Sequence, residues 1–337
     1  MKKLSLLFLL ISTLFYSQQF KIDTLLTDKI SIRAIQLWDG KVWYAGSMSK
    51  FGYVKINDPK TKNQVQLNNL NQEFRVVAKF KENFFETVNV GAPGQFYGVS
   101  PGDLKVSELN KVSDSTVFFD SFKVNAKNND GIAISDPTSD GKPHFIIVSK
   151  RNFKKQKNLP KYFEGEAHFA ASNSNIAMYE DETWIATGGK KARIFKFNWK
   201  NPYDWQVFET PFTQGTSSQG IYSIDFYDKK FGIAVGGDYT KQDNNINNIA
   251  TTNDGGRTWQ IQASGQNAGY MTCVKFRPNT KGKEIVAVGD QHISFSSDYG
   301  KTWTKISDEK NLYVCEWADK NTLILAGKDK IIRLAFP

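Results

Sequence analysis

The chain repeats itself. An apolar-aromatic segment, a polar turn, a second apolar segment ending in small residues and a third apolar segment recur at intervals of roughly 42 to 53 residues. The first segments centre on Ile32-Arg33-Ala34-Ile35, Phe74-Arg75-Val76-Val77, Val117-Phe118-Phe119-Asp120, Glu166-Ala167-His168-Phe169, Ile221-Tyr222-Ser223-Ile224, Met271-Thr272-Cys273-Val274 and Tyr313-Val314-Cys315-Glu316. The second segments match one another equally well, as in Trp43-Tyr44-Ala45-Gly46, Ile233-Ala234-Val235-Gly236 and Val286-Ala287-Val288-Gly289. Short β-branched runs bounded by Gly, Asn and Asp are strand signals, and about four per unit at this period describe a propeller blade. The expected fold is therefore all-β, a seven-bladed β-propeller of WD40/YVTN-like outline.

The ends of the chain refine that expectation. After residues 312–317, 323–327 and 331–336 the last unit stops one strand short, while residues 20–26 form an unassigned strand ahead of the first unit. Pairing the N-terminal strand with the last blade closes the ring and removes two exposed edges. Ahead of it, Met1-Lys2-Lys3 precedes an apolar run over residues 4–16 and then Ser17-Gln18-Gln19, the pattern of a cleaved signal peptide. That run is short of the roughly 20 residues a membrane span needs. The expected organisation is a signal peptide over residues 1–17 and a single propeller over 18–337, with no transmembrane anchor and a periplasmic or secreted location.

Export shapes the reading of charge. The formal charge of +10 falls to about +8 without Lys2 and Lys3. Nucleic acid is not an expected partner outside the cytoplasm; a protein or an anionic glycan of the cell envelope is, with the chain itself a monomer. The basic run Lys150, Arg151, Lys154, Lys155, Lys157 and Lys161 reads first as a solvated loop and otherwise as a docking face for an acidic surface. Cys273 and Cys315 occupy corresponding positions in neighbouring units. Adjacent sheets pack ~10 Å apart, beyond a disulfide's usual Cα separation, so two free buried thiols are expected.

Two segments share the pattern S/T-x-D-x-G-x-T-W: Thr252-Asn253-Asp254-Gly255-Gly256-Arg257-Thr258-Trp259 and Ser296-Ser297-Asp298-Tyr299-Gly300-Lys301-Thr302-Trp303. These are Asp boxes (BNR repeats). The aspartate accepts backbone N–H groups across a hairpin turn, glycine permits positive φ, and the tryptophan packs on the next strand. Asp254, Trp259, Asp298 and Trp303 are accordingly expected to be structural. A degenerate copy is expected over residues 198–205.

Phe119-Asp120, Gly131-Ile132-Ala133-Ile134-Ser135-Asp136-Pro137, Gly165-Glu166-Ala167-His168-Phe169, Gly236-Gly237-Asp238-Tyr239 and Gly269-Tyr270 follow one another in an order that resembles YCF48-related proteins. These are sialidase-like propellers similar to the photosystem II stability/assembly factor. The resemblance runs along nearly the whole chain after the leader. It implies a seven-bladed ring and, from the photosynthetic members, an assembly factor that binds a membrane-protein partner. Bacterial relatives often carry an oxidoreductase label. The residues give it no support: no G-x-G-x-x-G opens a helix, no C-x-x-C occurs, and His144, His168 and His292 lie in different units without metal-ligand spacing. No cofactor and no metal are expected.

Sialidase-like hydrolysis of an anionic glycan is the rival reading. It needs three clustered arginines and a tyrosine nucleophile with a glutamate partner. Arg33 and Arg75 sit on first strands, but Arg193 and Arg333 fall on third strands, Arg257 in an Asp box and Arg277 at a strand end. No catalytic residue is assigned. Tyr222 or Tyr270 pairing with Glu166 would be required for that chemistry. The preferred reading is an exported, non-catalytic binding or assembly scaffold. Its site is the axial rim, where first strands and their loops gather Arg33, Arg75, Asp120, Glu166, His168, Ser172, Asn173, Tyr222, Asp238, Tyr239 and Tyr270.

Overall fold

The computed structural model describes residues 20–336, so the leader expected over residues 1–17 lies outside the described residues. All the named elements are strands, joined into antiparallel sheets. None of the described residues forms a helix long and apolar enough to cross a membrane.

The propeller has six blades, not the seven expected from the repeats. The seventh unit makes no sheet of its own. Its strands Leu312–Asp319 and Thr322–Ala335 join the same six-stranded sheet as Lys41–Gly46, Lys50–Lys55 and Asp58–Gln66. The link is Lys21–Trp38, an 18-residue strand. Its first part pairs with the C-terminal strand, from Lys21 opposite Ala335 to Ser31 opposite Lys328, and its second part pairs with Lys41–Gly46. Repeats counted along the chain overstate the blades because one strand serves two units.

The N-terminal strand is thus not a separate closing piece but the start of the longest strand in the molecule. It is held by apolar burial: Leu25, Leu26 and Ile30 pack with Ile324, Ile331 and Leu334 in the largest core cluster. An Arg333–Asp23 pair at 2.9 Å sits at the exposed edge of this seam. Between other sheets the filling is aromatic. Trp43 stacks on Phe85 with ring centroids 4.5 Å apart, and Trp184 stacks on Phe226 at 3.7 Å. Large rings suit this geometry because sheets splay apart away from the axis.

Both Asp boxes form the turns between the last two strands of their sheets. Asp254 Oδ1 accepts the backbone N–H groups of Arg257 and Thr258, each at 3.0 Å, and its Oδ2 accepts the Thr258 hydroxyl at 2.6 Å. Asp298 repeats this with Thr302, at 2.9 Å from N–H and 2.7 Å from the hydroxyl. Gly256 and Gly300 take φ of 86° and 82°, a region costly for residues with a Cβ. Trp259 Nε1 donates to Gly256 O and Trp303 Nε1 to Gly300 O, which folds each indole back over its own turn. Partial burial works against ionisation of Asp298, but the bonds from Thr302 win and hold its carboxyl below the usual range. Residues 198–205 also contain a turn between third and fourth strands, where Asn198 Oδ1 accepts Lys200 N–H at 2.9 Å.

The fourth unit departs most from expectation. Its expected first strand is reduced to Glu166–Ala167, which pairs with Gly188–Gly189 beside the next sheet. The innermost strand there is Ile176–Tyr179, and residues 168–175 between them carry no strand. That segment enters the channel. Asn173, at φ 54°, accepts from Ser121 Oγ and Phe122 N–H through Oδ1, and donates to Val77 O and Phe122 O through Nδ2. Ser172 Oγ donates to Thr272 O at 2.6 Å, and Ser174 Oγ to Ser223 Oγ at 2.7 Å.

Cys273 and Cys315 are free and buried. Their sulfurs are 3.8 Å apart, in contact but not bonded.

Two stability measurements check this account. Leu26→Ala removes a buried anchor of the seam and is expected to cost about 2–5 kcal/mol in urea denaturation; a loss under about 0.5 kcal/mol contradicts the seam's role. Asp298→Ala strips a turn of its shared acceptor and is expected to cost about 1–3 kcal/mol, with Asp254→Ala similar.

Candidate functional site

Inner strands run along the axis, so their side chains alternate between channel and core. Arg33, Asp120, Tyr222 and Tyr313 therefore arrive at one end of the channel from inner strands, whereas Arg75, expected on a strand, comes from the strandless residues just before Ala78–Phe80. There they line a cavity of about 490 Å³ together with His168, Tyr239, Tyr270, Asp136 and Asp290. Seven of the expected rim residues meet in it: Arg33, Arg75, Asp120, His168, Tyr222, Tyr239 and Tyr270.

Glu166 and Asp238 are not among its lining residues. Glu166 is buried in a two-point ion pair with Arg193, Nε to Oε1 at 2.9 Å and Nη2 to Oε2 at 2.6 Å. It also accepts the Thr187 hydroxyl at 2.7 Å. A fully met buried pair of this kind holds loops together, and breaking it leaves an unpaired charge. Asp238 caps its own turn, accepting Thr240 N–H at 2.9 Å and the Thr240 hydroxyl at 2.6 Å. Ser172 and Asn173 lie deeper, inside the channel, rather than on the rim.

The two arginines are fixed by the inserted segment. Arg33 Nη1 donates to Ala171 O at 3.3 Å and Arg75 Nη1 to Ala170 O at 3.4 Å. Arg33 also lies over the Tyr313 ring, 4.0 Å from its centroid. Arg75 pairs with Glu73 at 2.8 Å. The Nε atoms of both are buried without a hydrogen-bond partner among the described residues. Burial, then the neighbouring Arg75 charge, lowers the affinity of Arg33 for its proton, though not enough to discharge a guanidinium.

Carboxyl groups line the same cavity under different conditions. Asp120 is 0 % exposed, and neither of its oxygens has a partner among the described residues. Burial, then the nearby Asp136, pushes its carboxyl well above the usual range, with Arg75 pulling the other way. Asp136 accepts His168 N–H at 2.6 Å, yet burial still pushes it up to about 7. Asp290 Oδ1 is likewise unpartnered, while its Oδ2 accepts from Gln242. The raised Asp120 and Asp136 carboxyls therefore offset the arginines less than ordinary carboxylates would.

His168 is a wall rather than a charge. Its Nδ1 lies 2.9 Å from Ala186 O and its Nε2 2.7 Å from Tyr162 Oη. This network is satisfied by a neutral ring whose Nδ1–H donates to the carbonyl while Nε2 accepts the phenol proton. Burial pulls its pKa down to about 4, consistent with that state. The remaining walls are aromatic. Phe169 stacks on Tyr222 with ring centroids 3.9 Å apart, and Tyr270 meets Tyr222 edge-on at 4.8 Å. Burial pushes both phenols up, so they stay protonated as donors. Tyr239 stands 51 % exposed and Phe118 37 % exposed at the opening.

The tyrosine–glutamate couple of sialidase chemistry is not assembled here. Glu166 is engaged by Arg193, and the Tyr222 hydroxyl donates to Ser218 O at 2.8 Å. Lining residues that the sequence reading missed include Tyr313, Asp136 and Asp290. Tyr313 lies two residues before Cys315 in its first segment, where Met271 stands before Cys273.

The chain matches no protein-family model and no curated protein. Its similarity is to solved structures. Selenomethionine-substituted virginiamycin B lyase from Staphylococcus aureus aligns with a TM-score of 0.71 at 12% identity, covering 95% of this chain and 100% of that one. YCF48 bound to D1 peptide aligns at 0.65 and 14% identity, covering 94% and 97%. YCF48 from Cyanidioschyzon merolae aligns at 0.64 and 15%, covering 94% and 98%. At such identities the likeness is one of fold: the chain is a β-propeller, and its resemblance to YCF48-related proteins holds at that level.

Proposed function

We propose that this chain is a non-catalytic binding scaffold, of assembly-factor type, that seats an anionic segment of a protein partner in the axial cavity. The observation that carries the reading is the pair Arg33 and Arg75, pinned by backbone carbonyls beneath a ring of tyrosines. Each still has a buried Nε without an acceptor. Preorganised guanidiniums beside aromatic walls are how interfaces anchor carboxylate-bearing chains. One structural neighbour, YCF48, was solved with a peptide of D1 bound, which adds support from fold. The leader pattern at residues 1–17 makes an envelope or extracellular partner our choice, with the scaffold itself exported to the periplasm or secreted as a monomer.

A library of acidic peptides, screened by fluorescence anisotropy, tests this. A selected peptide is expected to lose at least about tenfold in affinity, or 1.4 kcal/mol, on Arg33→Ala combined with Arg75→Ala. Equal binding by the double variant, with its melting temperature intact, refutes the reading.

The carboxyls add a pH signature. Asp136, raised to about 7, is largely protonated below that pH and ionises above it, bringing negative charge to the arginines. Affinity for an anionic peptide is therefore expected to fall as pH rises through about 7, with Asp120, Arg75 and His168 as the other groups facing it. Asp136→Asn is expected to flatten this dependence; an unchanged profile in that variant removes Asp136 from the account. The same shift stabilises the fold below the unfolded carboxyl pKa, and that contribution is lost as pH rises through about 7.

A further inference from the structure

Three or four residues from the arginine cavity, along the inner strands and the segments that lead into them, lies a second set of side chains. Arg33 is followed by Gln36, Arg75 by Lys79, Asp120 by Lys123, Thr272 by Lys275 and Tyr313 by Glu316. At ~3.3 Å per residue this places them about 10 Å further along the channel. They line a separate cavity of about 250 Å³, with Ser172, Asn173 and Ser174 of the inserted segment as the wall between the two.

The charges here are unevenly matched. Lys275 pairs with Glu316 at 2.7 Å. Asp225 accepts Phe276 N–H at 3.0 Å. Lys79 donates to Phe80 O and lies 4.7 Å from the centroid of the Trp38 ring. Lys123 lines the cavity with no hydrogen-bond acceptor or ion-pair partner among the described residues. An ammonium group has three donors and is costly to leave unmet away from bulk water.

We propose that this cavity binds a small oxyanion, such as phosphate, sulfate or a small carboxylate, on the Lys123 ammonium. Lys79 lends long-range attraction, and Gln36 lies on the same wall. The site is independent of the partner-binding reading of the arginine cavity. Burial, then repulsion from Lys275, pushes Lys123 down to about 8, with Glu316, Asp225 and Cys273 acting the other way. A seated anion supplies the hydrogen-bond acceptor that Lys123 lacks. Binding should weaken as pH rises past about 8 and Lys123 loses its proton.

Thermal unfolding with inorganic phosphate, sulfate or acetate, against chloride at matched ionic strength, tests the site. Saturable stabilisation is expected in the wild type and in Arg33→Ala/Arg75→Ala, which removes the other cationic cavity. Lys123→Met is expected to weaken apparent affinity at least about tenfold, while Lys123→Arg keeps it. A response no larger than chloride's overturns the proposal. So does a response retained in Lys123→Met, or one lost in the double arginine variant alone. The choice among the three salts tells a tetrahedral oxyanion from a carboxylate.

Discussion

The channel depends on one short stretch of backbone that is not a strand. Residues 168–175 leave the blade pattern and enter the axis, where Asn173 bonds to Val77, Ser121 and Phe122 and Ser172 bonds to Thr272. Neighbouring inner strands also bond directly at a few points, as Val274 N–H to Ser223 Oγ and Phe276 N–H to Asp225. Here hydrogen bonds to several of them converge on a single segment, although the side-chain amide of its buried Asn175 has no hydrogen-bond partner among the described residues. The same segment offers the carbonyls of Ala170 and Ala171 to Arg75 and Arg33. Remove it and the arginines lose their seating, while the two cavities become one.

Charge is distributed along the channel in consequence. One cavity has two guanidiniums, two carboxyls raised by burial and a neutral histidine; the other has three lysines against Glu316 and Asp225. Glu73 beside Arg75 and Asp290 in the same cavity offset part of the guanidinium charge, and what stays unpaired acts most strongly in a low-dielectric setting. Between them lie small hydroxyls and the two thiols in contact, a layer that bonds to itself.

Much of this was legible in the sequence because propeller geometry turns position on a repeat into position about an axis. Arg33, Arg75, Asp120, Tyr222 and Tyr270, picked from their segments alone, all line the one axial cavity. Blade number was not, because the 18-residue strand Lys21–Trp38 fuses two units, and no residue pattern announces that a strand continues through a unit boundary. Glu166 misled for a related reason: its segment looked like an inner strand, yet the chain turns there and its carboxylate meets Arg193, 27 residues away. Lys123 was overlooked because a lysine on a strand reads as solvent-facing, and only the closed channel shows otherwise.

The central claim is that the arginine cavity, not an outer face, receives the partner. Hydrogen–deuterium exchange with and without a bound peptide tests it most directly. Protection is expected at residues 168–175 and along the segments carrying Arg33 and Arg75. Protection confined to the lysine-rich edge over residues 150–161, with the axial segment unchanged, contradicts the account.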